Sequence, residues 1–112
     1  MNEPAERRNN SILIVFTTTP NLEEGERLAG RIVAERLAAC VQILPRMRSV
    51  YFWKGEVVSE AEHLLLIKTS EEKYEALERF LVSNHSYEVP EIVAVSAEKV
   101  SAGYAKWLGE YV

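Results

Sequence analysis

Cysteine is almost absent from the sequence, since Cys40 is the only one in 112 residues. A single cysteine excludes a disulfide within the chain and is typical of proteins from reducing compartments. Long apolar runs are absent as well, and none approaches the roughly 18 residues that a membrane-spanning helix needs. Residues 1–10 are polar and of mixed charge, without the apolar region of a signal peptide. We therefore expect a cytoplasmic protein that does not enter a membrane.

A surplus of positive charge is also missing. The chain has 13 Lys and Arg against 17 Asp and Glu, which gives a net charge of -4 at pH 7. Nucleic-acid surfaces need clustered basic side chains, so we expect no nucleic-acid partner. Two histidines and one cysteine support neither a catalytic triad nor a zinc site within one chain. We therefore expect a protein that is not an enzyme.

The length fits one domain, with residues 1–10 as a flexible tail and residues 11–112 as the folded part. Ser11–Thr18 is short, apolar and rich in β-branched residues, which predicts a buried strand. Asn21 is a suitable N-cap for the helix that follows. Apolar residues then recur at helical spacing, and the helix is predicted to end near Ala38.

A long hairpin is predicted in the middle of the chain. Cys40–Leu44 begins a second strand, which Pro45 interrupts because proline cannot donate to a strand ladder. The strand resumes over residues 47–53. Lys54-Gly55 predicts a tight turn, since glycine tolerates a positive φ. The third strand has its strongest apolar run at His63–Thr69.

The remaining elements follow in the same order. Thr69 and Glu72 have the spacing of a capping box, which predicts the start of a second helix that ends near Asn84. Residues 91–97 predict a fourth strand, and residues 103–111 predict a short last helix.

The predicted order is β-α-β-β-α-β plus a C-terminal helix, which is the ferredoxin-like split βαβ sandwich of the α+β class. Two helices cover one face of such a sheet and leave the other face open. Val50–Trp53 is apolar without alternation, so both faces of that strand are apolar. Exposed apolar surface marks an interface, and we expect a homo-oligomer. The alternative is that the C-terminal helix folds over the open face.

Four segments resemble the CutA family of divalent-cation tolerance proteins, over roughly residues 12–111. They are Ala38-Ala39-Cys40-Val41, Tyr51-Phe52-Trp53-Lys54-Gly55, Leu66-Ile67-Lys68-Thr69 and His85-Ser86-Tyr87-Glu88-Val89-Pro90-Glu91-Ile92. The resemblance implies a ferredoxin-like subunit, an interlocked homotrimer, and a cytoplasmic role tied to copper and other divalent metals.

The resemblance also implies which residues carry function. Copper binding is associated with the family segments that correspond here to Cys40 and His85. The cleft between subunits corresponds to six residues: Tyr51, Trp53, Lys68, Tyr87, Glu88 and Glu91. The family usually has proline where this chain has Ser86. Serine lifts the backbone restraint that proline places on itself and on His85.

Each candidate residue also has an ordinary structural interpretation. His85 is suited to capping the end of a helix as well as to binding metal. Cys40 has apolar neighbours and is suited to the core as well as to Cu(I) or zinc. Lys68 either holds an anion in a cleft or extends along the surface into solvent. The aromatic residues of the cleft are equally typical of packing.

Two functions follow from these observations. The first is a trimer that binds copper or another divalent cation between its subunits and serves metal tolerance, without an organic cofactor. The second is a sensor that resembles the trimeric PII signalling proteins and binds a metabolite or nucleotide between subunits. No glycine-rich phosphate loop supports the second function. No feature of the sequence identifies a protein partner.

Overall fold

An antiparallel sheet forms the centre of the computed structural model, which describes residues 11–112. The predicted tail at residues 1–10 lies outside the described residues. The strands are β1 (Ile12–Thr19), β2 (Cys40–Ile43), β3 (Met47–Trp53), β4 (Glu56–Ser70) and β5 (Val93–Ser96). The helices are α1 (Leu22–Ala34), α2 (Tyr74–Asn84), which follows a 3-10 turn at Glu71–Lys73, and α3 (Ala102–Gly109). None of the helices among the described residues has the length and apolarity to cross a membrane.

The strand order β2-β4-β1-β5 confirms the ferredoxin-like fold class. β4 is the longest element, with 15 residues, and it pairs with β1, β2 and β3. Its second half, from His63 to Ser70, pairs with β1, while Glu56 to Glu62 pairs with β3. β3 and the first half of β4 therefore extend beyond the main sheet as a hairpin. The chain measures 54 Å along its longest axis but only 26 Å and 24 Å across.

The core lies between the sheet and helices α1 and α2. Successive side chains of a strand point to opposite faces, so every second residue of β1 faces the helices. Leucine, isoleucine and valine side chains from both layers are fully buried there: Val15, Leu28, Ile32, Leu65, Ile67, Leu77 and Leu81. Burying each such side chain contributes roughly 1.5–3 kcal/mol to the free energy of unfolding.

Helix α1 ends at Ala34, so the predicted end near Ala38 is wrong. Arg36 has a φ of 60°, in the left-handed region, and breaks the helix there. The Arg36 N–H donates to the Val33 carbonyl at 3.0 Å, and the Leu37 N–H donates to the Ile32 carbonyl at 2.9 Å. This pair of bonds is a Schellman cap, which glycine usually forms. The arginine at this position concealed the helix end from the sequence pattern.

The predicted hairpin turn is confirmed at Lys54-Gly55. Both residues have positive φ, 53° and 82°, as a two-residue turn with the twist of the strands requires. The predicted interruption at Pro45 is confirmed as well, because it falls between β2 and β3.

The predicted capping box at Thr69 and Glu72 does not form. Thr69 is still part of β4, and its hydroxyl donates to the Leu37 carbonyl at 2.7 Å, inside the core. The residue at the N-cap of the 3-10 turn is Ser70, which makes no side-chain capping bond. The Thr69 hydroxyl therefore bonds to a carbonyl in the core and not, as the local pattern had predicted, to the start of the helix.

The open face of the sheet is covered in part. The Tyr104 ring of α3 lies 5.6 Å from Lys68 Nζ, which places the C-terminal helix near the β2 side of this face. The hairpin is not covered, and Phe52 at its end is 76% exposed. The C-terminal helix thus covers one region of the open face and leaves the apolar hairpin exposed.

Two buried threonines provide a test of how hydrogen bonding of polar groups in the core affects stability. Thr17 and Thr69 are both fully buried, but among residues 11–112 the Thr17 hydroxyl has no hydrogen-bond partner. We expect Thr17→Val to raise the free energy of unfolding by about 1 kcal/mol, because it removes an unpaired polar group. Thr69→Val should lower it by about 1–2 kcal/mol, because it leaves the Leu37 carbonyl unpaired. Urea unfolding at one protein concentration measures both, and a loss of stability in both variants would contradict this account.

Candidate functional site

A cleft of about 730 Å³ opens at the base of the hairpin. Its walls come from β3, the first half of β4, the end of β1 and the segment that connects α2 to β5. The apolar and aromatic lining residues are Val50, Tyr51, Trp53, Tyr87, Val89 and Pro90. The polar lining residues are Thr18, Ser49, Glu60, Glu62, Glu88 and Glu91. A volume of this size is typical of small-ligand sites.

Glu62 is the buried carboxylate of the cleft, with 5% of its surface exposed. Its Oε2 accepts a hydrogen bond from the Tyr87 hydroxyl at 2.6 Å and a longer one from Thr18 Oγ1 at 3.3 Å. Burial, followed by the hydrogen bond to Glu62 and its negative charge, raises the pKa of Tyr87. The phenol therefore stays protonated and acts as a donor to the carboxylate.

Glu60 and Tyr51 form a second phenol–carboxylate pair at the rim. The Tyr51 hydroxyl donates to Glu60 Oε1 at 2.9 Å. This hydrogen bond is the main reason that the pKa of Tyr51 is raised. Glu60 and Glu62 are two residues apart on β4, and the alternation of side chains along a strand places both on one face.

His85 follows α2 directly and is buried, with 9% of its surface exposed. Its Nε2 donates to the Thr18 carbonyl at 2.7 Å, and its Nδ1 accepts the Tyr87 N–H at 3.0 Å. These partners assign the ring proton to Nε2. A metal ion at His85 would have to displace one of the two hydrogen bonds.

Ser86 compensates for the missing proline through hydrogen bonds. Its N–H donates to Glu24 Oε2 at 2.9 Å, and its hydroxyl donates to Glu24 Oε1 at 2.7 Å. Proline could supply neither donor. From the sequence we expected the backbone at Ser86 to be less restrained than a proline would be. Glu24 of α1 restrains it instead.

Cys40 and Lys68 lie together, away from the cleft. They are direct partners across β2 and β4, and Lys68 is paired on its other side with Ile14 of β1. His85 contacts Thr18, which is four residues further along β1, so roughly 13 Å separates the two positions along the strand direction. Cys40 and His85 therefore do not meet in a single chain. Cys40 is only half buried, beside Tyr104, whose pKa is raised by burial and by the cysteine.

The cleft brings together most of the residues that the sequence led us to expect there, namely Tyr51, Trp53, Tyr87, Glu88 and Glu91. The structure adds Glu62 and Thr18 to this set. The spacing of Glu60 and Glu62 in a strand was an available signal for a shared acidic face. The role of Thr18 had no signal in the sequence, because it depends on the pairing of β1 with β4.

Negative charge dominates the cleft. Glu60, Glu62, Glu88 and Glu91 line it, and none of its lining side chains within residues 11–112 is basic. Such a lining attracts cations and repels phosphate groups. In the described part of the chain, no group of three or more His, Cys, Asp or Glu side chains could hold a metal ion. One chain alone therefore offers an acidic surface but no complete coordination shell.

These features define a small ferredoxin-like protein with an extended hairpin and an acidic cleft at its base. The sequence profile of the CutA1 divalent ion tolerance protein family matches residues 13–111. The chain belongs to this family, and the resemblance noted in its sequence is confirmed. The family is named for tolerance of divalent ions and not for a reaction.

Named relatives extend this result. The chain is 47% identical over 96 residues to "Protein CutA 1, chloroplastic" of Oryza sativa, a match that covers 86% of this chain and 54% of the relative. The chain thus spans about half the length of that relative. It is 42% identical over 97 residues to the divalent-cation tolerance protein CutA of Thermus thermophilus, covering 87% of this chain and 94% of the relative. The crystal structure of CutA1 from Oryza sativa superposes with a TM-score of 0.87 at 44% identity, covering 90% and 93% of the two chains.

The predicted cytoplasmic location is wrong as an inference from composition and family. The relatives in Oryza sativa and Arabidopsis thaliana are both named chloroplastic. A structure from Archaeoglobus fulgidus, with a TM-score of 0.86 at 32% identity over 89% of this chain and 97% of that chain, is titled a periplasmic protein. Members of this family therefore occupy several compartments, and one cysteine does not identify which.

The Tyr87–Glu62 bond makes a prediction about stability at high pH. The folded protein binds the Tyr87 proton more tightly than the unfolded chain, whose tyrosine pKa is about 10. The contribution of the Tyr87–Glu62 bond to the free energy of unfolding is thus complete below pH 10. It is lost as the pH rises through the folded-state pKa of Tyr87. We expect the stability advantage of the wild type over Tyr87→Phe to shrink by about 1 kcal/mol between pH 9 and pH 11. Urea unfolding at both pH values measures it, and an unchanged difference would refute the assignment.

Proposed function

We propose that this protein is a homotrimer that binds divalent cations in clefts between its subunits and thereby contributes to divalent-cation tolerance. The observation that carries the proposal is the acidic cleft at the base of an exposed apolar hairpin. The hairpin favours assembly with further copies, and the cleft favours cations. The role is one of binding and not of catalysis.

Exposed apolar surface supports the assembly. Val50 is 68% exposed, Phe52 76% and Val57 64%, all on the hairpin. Among residues 11–112, β5 lies at the edge of the sheet and pairs only with β1, and it exposes Val93 and Val95. An unpaired edge with apolar side chains is a ready site for a strand from another copy. The number of three subunits comes from the family resemblance.

Phe52 provides a test of the assembly. We expect Phe52→Glu to convert the trimer into smaller species, because it places a charge in the buried contact. Val82→Glu is the matched control, since Val82 is 58% exposed but lies on α2 and not on the hairpin. Sedimentation velocity at several protein concentrations measures the mass of each variant. A wild type that sediments as a monomer, or equal loss of assembly in both variants, would contradict the trimer.

The chemistry of the lining supports hard divalent cations. Carboxylate oxygens are the ligands that Mg²⁺, Ca²⁺ and Mn²⁺ prefer. Glu88 and Glu91 are exposed at the rim, while Glu62 is held inside by its two hydroxyl donors. Because residues 11–112 of one chain offer no complete set of ligands, waters or groups from a second subunit would complete the shell.

Copper binding at Cys40 and His85 stays a separate prediction. Cys40 lies on β2, whereas His85 follows α2 and contacts β1 at Thr18, so they would act in different sites or with ligands from another subunit. His85 would have to give up a hydrogen bond to Thr18 or Tyr87. Lys68, the remaining residue expected in the cleft, faces Tyr104 instead, and only a second subunit could bring it to a cleft.

A nucleotide sensor of the PII type is less well supported. A nucleotide needs donors or positive charge for its phosphates. The lining within the described residues supplies carboxylates instead.

Titration calorimetry with Mn(II), and separately with Cu(II), tests the cation site. We expect Glu88→Gln combined with Glu91→Gln to weaken Mn(II) binding about tenfold, since each carboxylate contributes charge to the cleft. Glu71→Gln combined with Glu72→Gln is the control, because it removes the same charge from exposed residues outside the cleft. Equal weakening by both pairs would leave only a general charge effect and would contradict the site. Loss of Cu(II) binding in His85→Ala or Cys40→Ala would support the copper prediction.

A further inference from the structure

A second buried carboxylate, Glu24, lies outside the cleft. It is the third residue of α1, and its N–H donates to Asn21 Oδ1 at 2.8 Å, which caps the helix. Glutamate at this position often folds back onto the cap. Here the side chain turns away from its own helix and is 8% exposed. A buried carboxylate requires hydrogen-bond donors to offset its desolvation.

Ser86, which is 62 residues further along the chain, supplies these donors. Each Glu24 oxygen receives one hydrogen bond, from the Ser86 N–H and the Ser86 hydroxyl. Hydrogen bonds to a charged acceptor are stronger than neutral ones. His85 Nδ1 lies 3.5 Å from the same carboxylate, although its closer partner is the Tyr87 N–H. We call the Glu24–Ser86 pair the carboxylate clamp.

The carboxylate clamp lies at the start of one wall of the cleft. Three consecutive residues are each tied to a different element: His85 to β1 through Thr18, Ser86 to α1 through Glu24, and Tyr87 to β4 through Glu62. The next residues, Glu88 to Glu91, belong to the lining. Within the described part of the chain, the backbone of this wall makes no strand pairing before Val93. Its position therefore depends on these side-chain bonds.

We propose that the Glu24–Ser86 clamp positions the 87–91 wall, so that the cation affinity of the cleft depends on Glu24 although Glu24 does not line it. Both are positioning residues and act through Tyr87 and Glu88. The proposal rests on the proposed cation cleft. It also explains how the chain functions with serine where its family usually has proline, since the clamp replaces a covalent restraint with two hydrogen bonds.

Mn(II) titration of the whole protein tests the clamp in four variants. We expect Glu24→Gln to weaken binding at least fivefold and Ser86→Ala about threefold. The double variant should bind no more weakly than Glu24→Gln alone, because both changes break one interaction. Ser86→Thr keeps the N–H and the hydroxyl and should bind within twofold of the wild type.

Amide hydrogen exchange provides a readout that needs no cation. In Glu24→Gln, the Ser86 and Tyr87 amides should exchange at least tenfold faster, while the amides of β1 keep their wild-type rates. A role in general stability would accelerate both groups together, and that result would overturn the clamp. Wild-type Mn(II) affinity in Glu24→Gln would overturn it as well. If the wild type binds no Mn(II), the proposed function fails and amide exchange alone decides on the clamp.

Discussion

Two buried carboxylates hold the segment after α2 against the sheet. Glu24 of α1 accepts two hydrogen bonds from Ser86, and Glu62 of β4 accepts one from the Tyr87 hydroxyl. An unpaired carboxylate in these positions would cost several kcal/mol, so each carboxylate requires its donor to stay in place. The segment cannot move without leaving at least one of them unpaired. The buried carboxylates therefore set the position of this wall of the cleft, in which Val89 is 68% exposed.

The long strand β4 connects the cleft to the rest of the fold. One half of it is the centre of the sheet, and the other half is the base of the hairpin. Glu62 lies at the junction, where the strand passes from one pairing to the other. Glu60 and Glu62 thus stand on the longest strand of the sheet. The exposed apolar hairpin begins at the same place, so the proposed assembly through the hairpin would also bring a second subunit to the cleft.

Local features of the fold were predictable from the sequence because local chemistry determines them. Short apolar runs, rich in β-branched residues, identified the strands. Pro45 marked the break, and Lys54-Gly55 marked the turn. The end of α1 was not predictable, since Arg36 adopts a conformation that glycine usually takes. The capping box at Thr69 failed because a carbonyl in the core competes for its hydroxyl.

The candidate site was predictable only in part. The cleft residues on β3 and after α2 came from the family resemblance, and the structure brings most of them together. The hydrogen bonds that hold these residues in place could not be predicted from the sequence. Glu24 and Ser86, for example, are 62 positions apart in the chain. His85 illustrates the same limit. Its sequence context suggests a metal ligand or a residue at a helix end, and His85 is indeed the C-cap residue of α2. The hydrogen bonds of its two ring nitrogens to the Thr18 carbonyl and the Tyr87 N–H had no signal in the sequence.

The most direct measurement is a crystal structure of the protein with Mn(II), with anomalous scattering recorded at the manganese edge. The account predicts an anomalous peak beside the carboxylates of Glu88 or Glu91, in a cleft that two subunits share. A peak only at Cys40 or elsewhere on the surface would contradict the account, as would a cleft that no second subunit approaches.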